Sequence, residues 1–583
     1  MDVKTALKSK LRGFIQARRK AQAAHMRAFL LFLLAVPLAS SCRTAPSTEC
    51  QKPPFVPGHN LVGEGFNIVQ MKTTGAYVVN VKDYMTGGEH GNCTICNNKL
   101  LNQEQKLPAA VLDWRIKVMC QRNIRSAVYE SSRDMLREST SSTKSNWKLG
   151  LNLPKGFDLA IGGTHSKSAK FTQSHSSQDK FSYTSHKFSC SYYSFRLHSS
   201  PPMTKEFMGS VQALPAAYNS QSKAAYENFL TTYGTHFLRQ VNLGGYVRSS
   251  TALRTCQVTM SGLSIQDVSN CLSMEAGVIV KSVPIKGQVE YCKSKSNKLD
   301  KKNSFSGSFS DRITEVLGGE GGEGDLLFDG SEKQNGYNTW LKTLKNVPGV
   351  VSYSLTSLHI LLSKDPSRRA SLKNAIREYV MKNAIPISCS GKCKYGHRVN
   401  CACKCSNHQR VNPNCCPSKL GIAELSVTVV RAAGLWGDYF SKTDGYVKVF
   451  FENQGYTTGV IWNNNFPVWN YRINIGTVDL TQNKPLTFEV WDRDNKWDDD
   501  LLGKGSMIPK QSKDMKQSFK LKHGTLSVSV TATCGPSLTG QYCDTYAPSP
   551  ESADILTYLD LVKNHRPTLL QGVYAAVQNQ TFL

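Results

Sequence analysis

Seven aspartates fall in two short stretches toward the C-terminal end of this 583-residue chain. Residues 434–451 carry Asp438 and Asp444, and residues 489–503 carry Asp492, Asp494, Asp498, Asp499 and Asp500. Calcium takes six to eight oxygen ligands, and clustered carboxylates supply them. The Asp498–Asp500 run alone reads equally well as a solvated acidic loop. Two acidic loops on a chain of net charge +28 point instead to a cation held between them. Trp436, Tyr439 and Trp497 sit beside the acids, and amphipathic aromatics at loop tips favour a membrane interface. Crowded carboxylates are expected to have raised pKa values before a cation arrives, so acid would compete with calcium.

Other chemistry has little support. There is no Gly-x-Ser-x-Gly and no His-Glu-x-x-His, and no nucleophile pattern accompanies His236, which reads as structural. The chain is therefore not expected to be an enzyme. The basic balance admits anionic surfaces. Zinc-finger spacing and a basic region with heptads are both missing, so nucleic acid is not an expected partner. Cys93-Thr94-Ile95-Cys96 matches a redox spacing but is more often structural in a secreted, cysteine-rich chain. Asn92 and Asn579 head sequons and are candidate glycan sites.

Several elements must position these groups. Ala28 to Leu38 is an apolar run of about 11 residues, too short to span a bilayer, and small residues follow it. Residues 1–41 thus read as a secretory leader, with Met26 an alternative start to Met1. Residues 387–418 hold seven of the 18 cysteines, a density that calls for a small disulfide-stapled module. Residues 419–535 alternate short β-rich runs with turns, as a β-sandwich does. Residues 536–583 form a tail with a possible helix over 553–563.

Residues 42–386 mix helical and strand patterns. Trp147, Leu149, Leu151 and Leu153, continued by Phe157, Leu159 and Ile161, alternate with polar residues, as do Val283, Ile285, Val289 and Tyr291. Period two predicts strands, either of a half-buried sheet or of a membrane hairpin. The stretch 164–196 contains ten serines, with Phe171, Phe181, Tyr183 and Phe188 among them. Residues 293–312 are rich in lysine. Both segments look too polar for a core and suited to lining a wet channel.

Residues 233–245 run Tyr233-Gly234-Thr235-His236-Phe237, then six residues to Gly244-Gly245. This resembles the signature of the membrane attack complex/perforin family, and Gly318-Gly319 resembles its second glycine pair. The resemblance implies an α+β fold with a bent four-stranded sheet over residues 42–386, flanked by helix clusters that unfurl into two transmembrane β-hairpins per subunit. Glycine pairs suit a hinge in such a sheet. Residues 387–418 resemble an EGF-like module. That implies Cys389–Cys401, Cys393–Cys403 and Cys405–Cys415, with Cys416 reaching Cys256; the cysteines by themselves leave the pairing open. Residues 419–535 resemble a C2 domain, whose calcium positions fall on Asp438, Asp444, Asp492, Asp494 and Asp500, with Asp498 and Asp499 as further candidates. Together these imply a secreted protein stored in cytotoxic lymphocyte granules. It would dock on phospholipid with calcium, close into a homo-oligomeric ring and deliver granule proteases through a pore in the target-cell membrane. The alternatives are a calcium-dependent membrane adaptor without pore activity and a secreted lipid-directed enzyme.

Overall fold

The computed structural model describes residues 42–548 apart from 88–90, 133, 136–144, 154–165, 177, 282–285, 300–303, 323, 329–333, 384–392, 394–395, 400–401, 407–409, 438 and 495–497. The expected leader, the tail helix, Asn579 and the Cys389–Cys401 pairing lie outside the described residues. So do Asp438, Trp497, Phe157, Leu159, Ile161, Val283 and Ile285.

The architecture is α+β. Its central sheet contains β1 (Val111–Cys120), β2 (Arg125–Tyr129), β3 (Phe181–Leu197), β4 (His236–Arg254), β5 (Arg312–Leu317) and β6 (Gly349–Ser357). β3 and β4 run antiparallel as the central pair. β1 and β2 pair in succession with the outer side of β3, and β6 and β5 do the same along β4. The sheet core is therefore four strands wide with both edge strands interrupted part-way. The 19 residues of β4 span roughly 60 Å at strand rise.

The interruption is where the glycine pairs meet. Gly318 and Gly319 leave β5 at φ 71° and 70°, a left-handed conformation that favours glycine. Gly244 and Gly245 act differently from the expected hinge, because neither has positive φ. A Cβ on Gly244 would lie 1.9 Å from the Cys190 carbonyl oxygen, and one on Gly245 would lie 2.3 Å from Leu344 Cδ2 and 2.6 Å from the Leu317 carbonyl oxygen. Close approach, not backbone freedom, requires them. Trp340 is fully buried over the bend and donates its indole N–H to the Gly318 carbonyl (2.7 Å).

Helices α1 (Lys167–Ser176), α2 (Lys223–Tyr233), α3 (Ile265–Ile279), α4 (Lys286–Ser296), α5 (Gln334–Thr343) and α6 (Pro366–Lys382) surround the sheet. α2 leads into the signature. α3 starts on a capping box formed by Ser264 and Asp267. It lies against β2 and β3, and the Cys271–Cys292 bridge joins it to α4.

Two expectations fail here for tertiary reasons. The serine-rich stretch is not excluded from the core: Phe181, Tyr183 and Phe188 are buried in β3 along with Ser182, Thr184 and Ser185. A strand with neighbours on both edges and a helix across its face buries small hydroxyl residues by position. The described residues of the period-two stretches are not strands either. Ser145–Lys148 is a 3-10 turn with Trp147 and Leu151 buried but Leu149 64% exposed, so the three do not share a face. The His236 ring donates to the Trp147 carbonyl oxygen and so fixes that turn. Val289 and Tyr291 lie in α4, which is bridged to α3 and has no strand partner.

Disulfides tie the outlying parts to this frame. Cys42–Cys96 and Cys50–Cys93 use both cysteines of the CxxC pattern structurally. Cys393–Cys403 and Cys405–Cys415 close the small module, and Cys256–Cys416 joins it to the end of β4. Asn92 is exposed at the start of the strand Asn92–Asn98.

Candidate functional site

The C-terminal sandwich is built from β7 (Ile422–Ala433), β8 (Gly445–Phe451), β9 (Gln454–Thr457), β10 (Val468–Asp479), β11 (Leu486–Asp492), β12 (Asp500–Met507), β13 (Ser512–Lys520) and β14 (Thr525–Cys534). One sheet runs β10-β7-β14-β13 and the other β9-β8-β11-β12. Alternate residues such as Val447, Val449, Phe488 and Val490 are buried between them, as period two requires. Leu538, Tyr542 and Cys543, in what the sequence marks as tail, pack on the same core. Cys534–Cys543 folds them back, and Leu538 and Cys543 are buried there. The Tyr546 hydroxyl then donates to the buried carboxylate of Asp179, ahead of β3.

Strand register brings the acidic loops to one end. Asp492 ends β11 opposite Gly445 on one side and Asp500 on the other. Its side chain is 1% exposed and accepts from the Asp444 amide (2.6 Å). A Cβ on Gly437 would fall 1.7 Å from Asp492 Oδ2, so the loop backbone presses directly on the carboxylate. The Asp444 carboxylate accepts from the Asn463 amide (2.5 Å), which draws in the β9–β10 loop.

Asp494, Asp498 and Asp500 are exposed at the same end. Asp499 is half-buried: its Oδ2 accepts from the Tyr446 hydroxyl (2.6 Å) and lies 3.7 Å from Arg493, and its Oδ1 accepts from the Asp494 amide (3.3 Å). The Tyr446 hydrogen bond holds the Asp499 carboxyl below its ordinary pKa, the reverse of the rise expected from crowding. Among the described residues no three acidic, histidine or cysteine side chains gather tightly enough to hold a metal ion. Asp492 bonds the Asp444 amide and lies opposite Asp500 in register, and carboxylate oxygens are the hard donors that calcium takes. Of the expected ligands, Asp444, Asp492, Asp494, Asp498, Asp499 and Asp500 all lie at this end of the sandwich.

Of the aromatics singled out in the sequence, Trp436 and Tyr439 are exposed on the β7–β8 loop, Trp436 edge-on to both Tyr439 and His523. Sequence reasoning missed three more. Phe440 is fully exposed, and Trp462 and Phe466 are each 65% exposed on the neighbouring β9–β10 loop. The Thr443 and Lys442 amides bond the side chains of Asn465 and Asn463 and bind the two loops into one tip. The Trp-Asn-Asn-Asn-Phe-Pro sequence carried the signal, an asparagine turn flanked by aromatics.

The signature residues are structural. Tyr233 closes α2, with its hydroxyl bonded to Ser210. Gly234 passes at φ 74° against Phe66, where a Cβ would lie 2.5 Å from the backbone. Thr235, His236 and Phe237 are buried in the main core. Burial lowers the His236 pKa to about 4, which keeps the ring neutral.

A MAC/Perforin domain model matches residues 54–388, and a C2 domain model matches residues 423–521. The chain is 38% identical over 532 residues to Perforin-1 of Rattus norvegicus, covering 89% of this chain and 96% of that one. It is 36% identical over 520 residues to Perforin-1 of Homo sapiens, covering 87% and 93%. Complement component C8 alpha chain of Oryctolagus cuniculus is 28% identical over 219 residues, covering 32% of this chain and 36% of that one. With the bent sheet, the paired glycines and the acidic sandwich loops, these matches place the chain in the membrane attack complex/perforin family, among members that carry a C2 domain.

Proposed function

We propose that this is a secreted, calcium-dependent pore-forming cytolytic protein. One observation carries the reading: two helical inserts each connect adjacent antiparallel strands of one bent sheet. Residues 130–180 join β2 to β3, and residues 255–311 join β4 to β5. An insert in that position can straighten into a hairpin that lengthens both strands without changing the sheet's connectivity. In lipid every backbone polar group must be paired, so such hairpins are tolerated only in a closed barrel. A ring of identical subunits provides the closure.

Docking belongs to the sandwich tip. Calcium held there supplies positive charge that offsets the carboxylates and attracts lipid phosphate. Asp492, pinned by the Asp444 amide, keeps the two acidic loops together. Trp436, Tyr439 and Trp497, joined by Phe440, Trp462 and Phe466, would enter the interface once the tip is seated. Storage in lymphocyte granules, glycans on Asn92 and Asn579, and delivery of granule proteases into a target cell complete the proposal; relatives named Perforin-1 support it.

The test is dye release from phosphatidylcholine liposomes, with and without calcium, for wild type and for Asp492→Asn with Asp494→Asn. Release that requires calcium and vanishes in the variant is expected. Calcium-dependent binding of wild type without release would favour a membrane adaptor instead.

A further inference from the structure

The β4–β5 ladder runs without a register shift from Thr251–Arg312 to Tyr246–Leu317. Counting twenty residues onward from Thr251 reaches Cys271, and twenty back from Arg312 reaches Cys292. These two cysteines are already bonded, with Cα atoms 5.5 Å apart. Residues directly opposed on neighbouring antiparallel strands stand about 4.5–5.5 Å apart. The bridge that joins α3 to α4 therefore also fits, unbroken, a hairpin that continues the ladder in the same register.

That hairpin sorts most of its side chains by polarity, with Ile279 the exception on the polar face. Opposed residues share a face. Cys271 and Cys292 then lie with Ser273, Glu275, Gln288 and Glu290. The other face takes Leu272, Met274, Val278 and Val280 from one arm and Val289 and Tyr291 from the other. Leu272 to Val280 is nine residues, within the roughly 9–11 that a transmembrane strand needs. The midpoint of the bridge falls just past Lys281, which already has φ 58°, as a tight hairpin turn demands. In the helical form Val278 is 51% exposed and Tyr291 39% exposed. The helical period leaves these apolar groups in water, whereas the strand period collects them.

We propose that Cys271–Cys292 is a register lock for the second membrane hairpin. It persists from the helical to the inserted form, turns the Leu272–Tyr291 face toward lipid and lines the lumen with Ser273, Glu275, Gln288 and Glu290. A slip of one residue would exchange the two faces, and the covalent link prevents it. This rests on the pore-forming reading.

The test places an environment-sensitive fluorophore on single added cysteines. Val278→Cys, Val289→Cys and Tyr291→Cys probe the lipid face; Gln288→Cys, Glu290→Cys and Ser294→Cys probe the lumen face. Five of these positions are exposed or partly exposed on α4, and Val278 is exposed on α3, so the labels do not invade the core. Variants that bind calcium-loaded phosphatidylcholine liposomes are scored. Emission rising several-fold on insertion at the first three sites and little at the last three is expected, as is recovery of the Cys271–Cys292 peptide from extracted pores mapped without reductant. Equal rises on both faces, an inverted pattern, or a bridge lost from the pores would overturn the lock. If wild type itself released no dye, the pore-forming reading would fail first; release with the wrong pattern would sink only the register.

Discussion

Acid should destabilise the bent-sheet domain through three buried histidines. His186, His236 and His359 are all buried, and burial lowers each pKa from 6.5 to about 4. His236 donates from Nε2 to the Trp147 carbonyl (2.8 Å) and accepts at Nδ1 from the Thr235 hydroxyl (2.7 Å), which suits the neutral ring. His186 donates to the Ser269 carbonyl (3.0 Å), and its Nδ1 is buried with no partner among the described residues. A histidine whose pKa falls on folding contributes stability that is complete above the unfolded value and is lost as pH drops through the folded value. At pH 5 the unfolded rings are mostly protonated and the folded ones are not. Each ring then costs about 2 kcal/mol relative to neutral pH, and the three together up to about 6 kcal/mol. The assay is the urea midpoint of this domain between pH 7.4 and pH 5, for wild type and for His236→Gln, whose amide keeps a donor for the Trp147 carbonyl. The variant should lose about a third of the pH dependence. A wild-type midpoint that does not move between pH 7.4 and pH 5, or a variant with the full shift, would refute the reasoning.

Other outcomes follow from particular contacts. Gly245→Ala must displace Leu344 and the Leu317 carbonyl, so thermal melting should show a loss of about 1–3 kcal/mol. Arg248→Met strands Glu315, its partner across β4 and β5. About 3 kcal/mol should be lost, and a double-mutant cycle with Glu315→Gln should recover part of it. Trp462→Ala with Phe466→Ala should weaken liposome binding at saturating calcium by about tenfold or more while leaving the melting temperature within a degree or two. An unchanged binding curve would exclude the β9–β10 loop from the membrane face.

The sequence was most informative where a local pattern has one physical meaning. Short β-rich runs spaced by turns, such as Ala423–Val430 and Leu526–Val530, marked sandwich strands, because strands of that length need a turn between them to pair. The Tyr-Gly-Thr-His-Phe signature and its glycine pair located the bend. Paired acidic loops pointed to one tip of the sandwich, and the strand register does bring Asp444, Asp492 and Asp500 to one end.

What only the tertiary structure decided was which partner each segment has. Trp147 to Leu153 and Val283 to Tyr291 carry strand periodicity, yet their described residues form turn and helix. A strand needs a neighbour to take its backbone hydrogen bonds, and none of the described strands pairs with these residues. Asp499 is shared between the Tyr446 hydroxyl and the Asp494 amide, contacts that the sequence could not reveal. Gly244 and Gly245 are small because Cys190, Leu317 and Leu344 close in on them from other strands and from the segment after α5. Composition reports what a residue tolerates; neighbours distant in sequence determine which of those tolerances is used.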